Sequence, residues 1–169
     1  MSRGRAEARA AGLDITPRDG AEAARRGYED TLRLWSSRVE PALDYWLKCG
    51  CLTTDEVARV RVLAPTAQTA AILELEARGL FCSKDFAKSI LYSVAAPGAS
   101  QHLAMLAFDA AEFTNAEVRA TLARHGWFQT VRSDLPHFTF LGVREKELPD
   151  LGLRLLVEYG QTFWLPAVA

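Results

Sequence analysis

The chain has 169 residues, a formal net charge of −1 at pH 7 and an apolar fraction of 49%. A chain of this length is most simply one domain with a real hydrophobic core. Acidic and basic residues are interspersed, so no basic stripe indicates a nucleic-acid partner. No apolar run reaches the length of a membrane-spanning helix, and we therefore predict no transmembrane segment.

The N-terminal part of the chain is predicted to change from poorly ordered to helical. Residues 1–20 are rich in Ala, Arg and Gly without apolar periodicity, so we expect them to be disordered. No apolar stretch follows the basic start, which excludes a conventional secretory signal peptide in this sequence. From 21 to 79, apolar residues recur every three or four positions, as in amphipathic helices. Thr54 is predicted to cap one of these helices, and Pro65 opens another that Gly79 closes.

The pattern after residue 79 becomes mixed. Short strands are predicted over 80–82, 103–108, 127–131 and 137–141, helices over 84–94 and 115–125, and a terminal hairpin over 153–157 and 162–165. Runs of both types favour an α+β fold in which helices pack on a small, mainly antiparallel sheet. We therefore expect residues 80–169 to form an α+β domain that follows the helical N-terminal region.

The three cysteines do not indicate a site of their own. Cys49 and Cys51 are separated by one glycine, which is too close for an ordinary disulfide or a two-residue zinc hook. Cys82 lies in an apolar setting. An odd number of cysteines favours a reducing compartment. We interpret all three as small core or surface residues.

Two of the three histidines lie in a pattern suited to a metal ion. An apolar run separates His102 from Asp109, and Asp134 comes three residues before His137. Two neutral imidazoles and one carboxylate are common ligands of a catalytic zinc ion, which keeps a fourth position open for water. A further carboxylate, which does not bind the metal, serves as general base in metal-assisted hydrolysis. The pattern predicts metal ligands at His102, Asp109 and His137, with Asp134 as the base.

Each of these residues also has a simpler interpretation when it is taken alone. Asp109 could cap the helix predicted after it, and His102 could be an ordinary loop histidine. A carboxylate at the end of a buried run is nevertheless costly unless it is paired or bound to a metal. The combination of the two segments therefore favours the metal hypothesis. His125 precedes a glycine at a predicted helix end, which is typical of a C-terminal capping residue rather than of a third imidazole ligand.

The first segment resembles the motif Ser-x-His-x-x-Gly-x-Ala-x-Asp of the zinc D-alanyl-D-alanine carboxypeptidases and dipeptidases of bacterial peptidoglycan. Ser100, His102, Ala107 and Asp109 match this motif, and Met105 stands at its glycine position. A bulky residue there is expected to change the packing behind the metal-binding strand and to narrow the cleft. The resemblance supports the predicted metal ligands more strongly than the predicted roles of the other active-site residues.

The second segment is similar to the Glu-x-x-His motif of the same family. His137 matches the last ligand, and Asp134 stands where the family carries its catalytic glutamate. The resemblance covers roughly residues 80–141, under half of the chain. It implies a bound Zn²⁺ ion and hydrolysis of a peptide bond in peptidoglycan peptides that end in D-alanine. Aspartate is one methylene shorter than glutamate, so metal binding is better supported than catalysis.

Two further residues receive roles from the resemblance. The family places an arginine upstream of the motif to neutralise charge that develops on the substrate carbonyl, and Lys84 is the nearest cation here. Lysine lacks the bidentate fork of arginine, and Lys84 could equally be a solvated residue in the first turn of a helix. Ser100 is expected to bind substrate or to orient His102, although Pro-Gly-Ala-Ser also suits a plain turn.

Two other functional hypotheses remain open at this stage. One is a noncatalytic module that keeps the metal site and recognises cell-wall peptides. The other is a structural α+β domain without a metal. The resemblance implies a periplasmic or extracellular protein, while the lack of a signal peptide implies either a start further upstream or action inside the cell.

Overall fold

The computed structural model describes residues 1–20 and 26–167, and within those ranges the fold is α+β. The elements are α1 Ser2–Ala10, α2 Tyr28–Lys48, α3 Thr54–Arg61, α4 Pro65–Ala77, β1 Ala107–Asp109, α5 Ala116–Arg124, β2 Trp127–Phe128, β3 His137–Phe140, β4 Leu153–Glu158 and β5 Gln161–Pro166. The predicted fold class is confirmed. None of the helices in the described ranges combines the length and the apolar character that a membrane span requires.

The chain divides into two compact units. One unit is formed by Arg26–Leu103, and the other combines the N-terminal segment with the chain from Ala104 onward. The sequence pattern places the change from helical to mixed structure near residue 79, whereas the units divide at residue 103.

Helices α2, α3 and α4 form the core of the unit Arg26–Leu103. Trp35 is almost completely buried, and its indole N–H donates to Gln68 Oε1 at 3.0 Å. Helix α2 continues through Pro41 as one helix. The cap of α3 is Thr53 rather than Thr54, because Glu56, at the third helical position, accepts the Thr53 backbone N–H at 2.8 Å.

The chain between α4 and His102 differs from the predicted strand over 80–82 and helix over 84–94. It forms turns and one short 3₁₀ helix, Ile90–Tyr92. The physical cause is the buried carboxylate of Glu76, which accepts the backbone N–H groups of Cys82 at 3.0 Å and Ile90 at 2.6 Å. These donors are satisfied locally, so the segment needs neither a strand ladder nor a helix.

The three cysteines of this unit are predicted to differ in reactivity. Burial, to which the Glu76 carboxylate adds, raises the pKa of the Cys82 thiol to about 12, whereas Cys49 and Cys51 are exposed. Because the thiolate is the reactive form, native protein should release two equivalents of thionitrobenzoate from Ellman's reagent, and a third only after denaturation. Rapid reaction of all three thiols in the native protein would contradict the burial of Cys82.

The other unit is built on a three-stranded antiparallel sheet in the order β1-β3-β2. Phe108 on β1 faces Phe138 on β3, and both side chains belong to a buried cluster with Val118 and Leu122 of α5. The facing residues on the opposite side of the same strand pair are Asp109 and His137. Apolar packing on one face of the sheet therefore sets the position of the polar pair on the other.

The N-terminal segment differs from the expected disorder. Residues Ser2–Ala10 form helix α1, and Ala8 and Ile15 are buried in the same cluster as Phe108. Thr16 donates its backbone N–H and its hydroxyl to the Glu112 carboxylate at 2.9 and 2.6 Å. These contacts join residues far apart in sequence, so local composition does not reveal them.

The C-terminal hairpin is confirmed, and the other strands are shorter than predicted. Strands β4 and β5 pair in register around Tyr159 and Gly160, which both have positive φ, 54° and 68°. Two consecutive left-handed residues form the tight turn that suits the twist of a hairpin. The predicted strand over 103–108 begins only at Ala107, and that over 127–131 ends at Phe128.

Candidate metal centre

The structure brings His102, Asp109 and His137 together. Asp109 and His137 occupy facing positions on β1 and β3, so their side chains lie on the same face of the sheet. The distance from His137 Nδ1 to Asp109 Oδ1 is 3.2 Å. His102 lies in a turn that the Leu103 N–H closes on the Ser100 carbonyl at 3.1 Å. One ligand atom from each of the three residues lies within 4.8 Å of the other two.

The chemistry of this group fits a metal ion. His102 is 3% exposed and His137 7% exposed, while Asp109 is half-buried. Ligands of one tetrahedral zinc ion, at bond lengths of about 2.0–2.2 Å, lie roughly 3.4 Å from one another. The spacing of the three side chains needs only small adjustments to reach that value. Within 1–20 and 26–167, no other cluster of three His, Cys, Asp or Glu side chains meets the same distance criterion.

The simpler interpretation of Asp109 as a helix cap is wrong. The cap of α5 is Asn115, whose Oδ1 accepts the backbone N–H groups of Glu117 at 2.9 Å and Val118 at 3.4 Å. Asp109 instead ends strand β1 beside His137. Its carboxylate lies 3.2 Å from the His137 imidazole and within 4.8 Å of a ring nitrogen of His102, which suits a shared metal ligand set.

His125 stands outside the metal group, at the C-cap of α5, as its sequence context predicts. Its Nε2 lies 2.7 Å from Glu7 Oε2 on α1. Hydrogen bonds from Arg124, and then from His125, lower the pKa of Glu7. His125 therefore helps to attach α1 to α5 and is no third imidazole ligand.

Asp134 begins the turn that leads into His137. The His137 N–H donates to the Asp134 carbonyl at 3.0 Å, and the Asp134 side chain is exposed. A general base needs access to the water that it deprotonates, so the exposure of Asp134 suits the predicted role. Because this hydrogen bond closes the turn, the backbones of Asp134 and His137 are close in space as well as in sequence.

Lys84 and Ser100, the two other residues with predicted roles, both lie outside helices and strands. Lys84 is exposed in a turn of the unit Arg26–Leu103, and its backbone N–H donates to Ser93 Oγ at 3.3 Å. It is not in the first turn of a helix. Ser100 is half-buried, and its carbonyl closes the turn that presents His102. This contact is made by the backbone, so the role of the Ser100 hydroxyl stays a prediction.

Met105 does not pack behind the metal-binding strand, contrary to the sequence expectation. It precedes β1, it is 76% exposed, and its φ is 54°. This left-handed conformation is costly for residues with a side chain and open to glycine. The backbone at this position thus has the conformation for which glycine, the residue of the resembling motif, is best suited.

A set of buried polar side chains around the segment that leads into β3 is not among the residues predicted from the sequence. The Gln129 side chain donates to the Leu135 carbonyl and to Gln161 Oε1, at 2.5 Å in both cases. The Thr139 hydroxyl on β3 lies 2.6 Å from that of Thr130. The available signal was a polar residue, Gln129, directly after the buried pair Trp127–Phe128.

No family model, curated protein or solved structure matches this chain significantly. The link to the zinc peptidases of peptidoglycan therefore stays a resemblance of motifs. That resemblance and the geometry of the three converging side chains together bear on the function of the protein.

The left-handed conformation of Met105 leads to a prediction about stability. Met105→Gly should leave the free energy of unfolding unchanged or raise it by up to about 1 kcal/mol, because relief of strain exceeds the added chain entropy. Met105→Val should lower it by about 1–2 kcal/mol, since β-branched residues tolerate positive φ worst.

Urea unfolding measures both Met105 variants. Leu106→Val is the control, because Leu106 is the adjacent partly exposed residue and is not among those with positive φ. If the valine variant at 105 were as stable as the glycine variant, the left-handed conformation would be contradicted.

Proposed function

We propose that this protein is a zinc-dependent peptidase that acts on peptidoglycan-type peptides ending in D-alanine. The observation that carries the proposal is the convergence of His102, Asp109 and His137, whose ligand atoms lie within 4.8 Å of one another. The motif resemblance supplies the substrate class, and the side-chain chemistry supports the class of reaction.

Zinc is the ion that this ligand set suits best. Two imidazole nitrogens and one carboxylate oxygen are typical of hydrolytic zinc sites, whereas magnesium and calcium prefer oxygen ligands alone. When bound, zinc lowers the pKa of a coordinated water and polarises a carbonyl group. Three protein ligands leave a fourth position for water or substrate, which is the requirement of a catalytic site rather than of a structural one.

The chain itself must hold the ligands and move a proton. The pairing of β1 with β3 holds Asp109 beside His137, and the turn that begins at Ser100 presents His102. Asp134 is proposed to take a proton from the attacking water and to pass it to the leaving amine. Its position at the start of the turn before His137 supports this role, because base and ligand then belong to one short segment.

Lys84 and Ser100 complete the proposal. A cation near the developing oxyanion stabilises the transition state more than the bound substrate, and Lys84 is proposed for that role from the motif resemblance. Its exposed side chain is available to a substrate. Ser100 is proposed to contact the substrate beside His102 or to orient that ligand.

The alternative is a noncatalytic module that binds the same peptides through the metal. Two differences from the resembling family favour it: an aspartate at the position of the catalytic glutamate, and a lysine in place of the arginine. A cleavage assay separates the two hypotheses. Zinc-loaded protein should release the terminal amino acid from an acyl-D-alanyl-D-alanine peptide, and the L,L diastereomer is the control substrate.

The expected cleavage is sensitive to a chelator and is restored by added zinc. Binding of the D,D peptide without any release of alanine would contradict the peptidase and favour the binding module. If the protein neither binds nor cleaves the D,D peptide, the assignment of D-alanine peptides as ligands is contradicted.

Asp134 provides the sharpest test of the mechanism. Asp134→Asn should lower kcat by about 100-fold or more while the zinc content is preserved, because the amide cannot accept the proton. Asp134→Glu should retain or increase activity, since it restores the residue of the resembling motif. Asp150→Asn, at an exposed carboxylate outside this turn, is the matched control and should leave kcat unchanged. Full activity of zinc-loaded Asp134→Asn would require a different base.

A further inference from the structure

The turn Asp134–His137 is held at three successive backbone carbonyls. The Asp134 carbonyl accepts the His137 N–H at 3.0 Å, and the Pro136 carbonyl accepts the Ala110 N–H at 2.9 Å. The carbonyl between them, that of Leu135, accepts the side-chain amide of Gln129 at 2.5 Å. Two of the three contacts are made by backbone groups and survive any substitution that leaves the fold intact. The contact at Leu135 depends on one side chain.

The Gln129 amide is itself fixed in orientation. Its side chain is 3% exposed, and its second N–H donates to Gln161 Oε1 at 2.5 Å. Gln161 begins β5 and is 6% exposed. The Gln129 backbone carbonyl also accepts the Trp164 N–H of β5 at 2.8 Å. Both side-chain N–H groups of Gln129 therefore have partners, and a rotated amide would lose them in a buried site.

The C-terminal hairpin contacts the same loop at a second point. Arg132 forms a two-pronged ion pair with Glu158 at the end of β4, with Arg132 Nη2 at 2.6 Å from Glu158 Oε1. The hairpin thus attaches to the loop on both sides of Val131, through Gln129 and through Arg132. The buried amide contact is the one that continues to the turn carrying Asp134 and His137.

We infer that Gln129, held by Gln161 of the hairpin, is a positioning residue for the turn that carries the proposed base and a proposed metal ligand. The contact at the Leu135 carbonyl sets the direction in which the chain enters Pro136 and His137. Mutation of a residue that orients a metal ligand typically weakens metal binding by about 10- to 100-fold. The inference rests on the proposed function only for the roles of His137 and Asp134.

The test compares the zinc affinity of variants by competition with a chromophoric chelator. Gln129→Met keeps the side-chain length and removes both donors, so the dissociation constant for zinc should rise by about 10-fold or more. Gln161→Met removes only the second acceptor and should have a smaller effect in the same direction. Because the two residues act through one contact, the loss of zinc affinity in the double variant should not exceed the product of the losses in the two single variants.

A control variant separates positioning from general loss of stability. Val118→Ala removes buried methyl groups from α5 in the same unit without touching the turn. It should lower thermal stability, yet its zinc affinity should stay within about threefold of the starting protein, because the loss of two methyl groups leaves the pairing of β1 with β3 and the contact at the Leu135 carbonyl in place. For the peptidase reaction, Gln129→Met should lower kcat more than it changes KM, since Gln129 touches the turn and not the peptide.

A second readout does not depend on zinc or on cleavage. The His137 amide should exchange with deuterium faster in Gln129→Met than in Val118→Ala, because the turn that protects it has lost its side-chain contact. Unchanged zinc affinity together with unchanged exchange at His137 in Gln129→Met would overturn the inference. If Gln129→Met fails to fold, the same two measurements on Gln161→Met decide. Absence of cleavage by the unmodified protein would contradict the proposed function. Zinc affinity and deuterium exchange at His137 would still decide whether Gln129 positions the turn.

Discussion

The site depends above all on the register of β3 against β1. Asp109 faces His137 on one side of this pair, and the rings of Phe108 and Phe138 stack on the other, with centroids 5.9 Å apart. A shift of one residue would turn His137 into the apolar cluster and Phe138 towards Asp109, so burial of the two phenylalanines strongly opposes it. The hydrophobic core therefore positions the proposed ligands from the opposite face of the sheet.

Burial of the polar side of the strand pair carries a desolvation cost for the folded protein. Two almost completely buried imidazoles and a half-buried carboxylate must be satisfied by one another and by their neighbours. A bound divalent cation would compensate the carboxylate and use the imidazole lone pairs. The left-handed Met105, just before β1, is a second local cost in the same segment.

The features that the sequence predicts are those that depend on residue types and spacing within short segments. The terminal hairpin follows from strand patterns around Tyr159 and Gly160, and the convergence of His102, Asp109 and His137 follows from residue type and spacing. The unpredicted features depend on contacts between distant residues. Glu76 binds the backbone of Cys82 and Ile90 and so replaces a predicted strand and helix with turns. Helix α1 is stabilised by the burial of Ala8 against residues more than half the chain away, which composition cannot reveal.

The metal-binding group is tested most directly by X-ray absorption at the zinc edge. Protein loaded with one equivalent of zinc should show only nitrogen and oxygen ligands at about 2.0–2.2 Å, with the multiple-scattering signature of two imidazoles. In His137→Ala one imidazole should disappear from the spectrum, while Asp134→Asn should leave it unchanged. Sulfur ligands at about 2.3 Å would place the zinc on the exposed Cys49 and Cys51 instead. That result, or protein that takes up no zinc at all, would contradict the account.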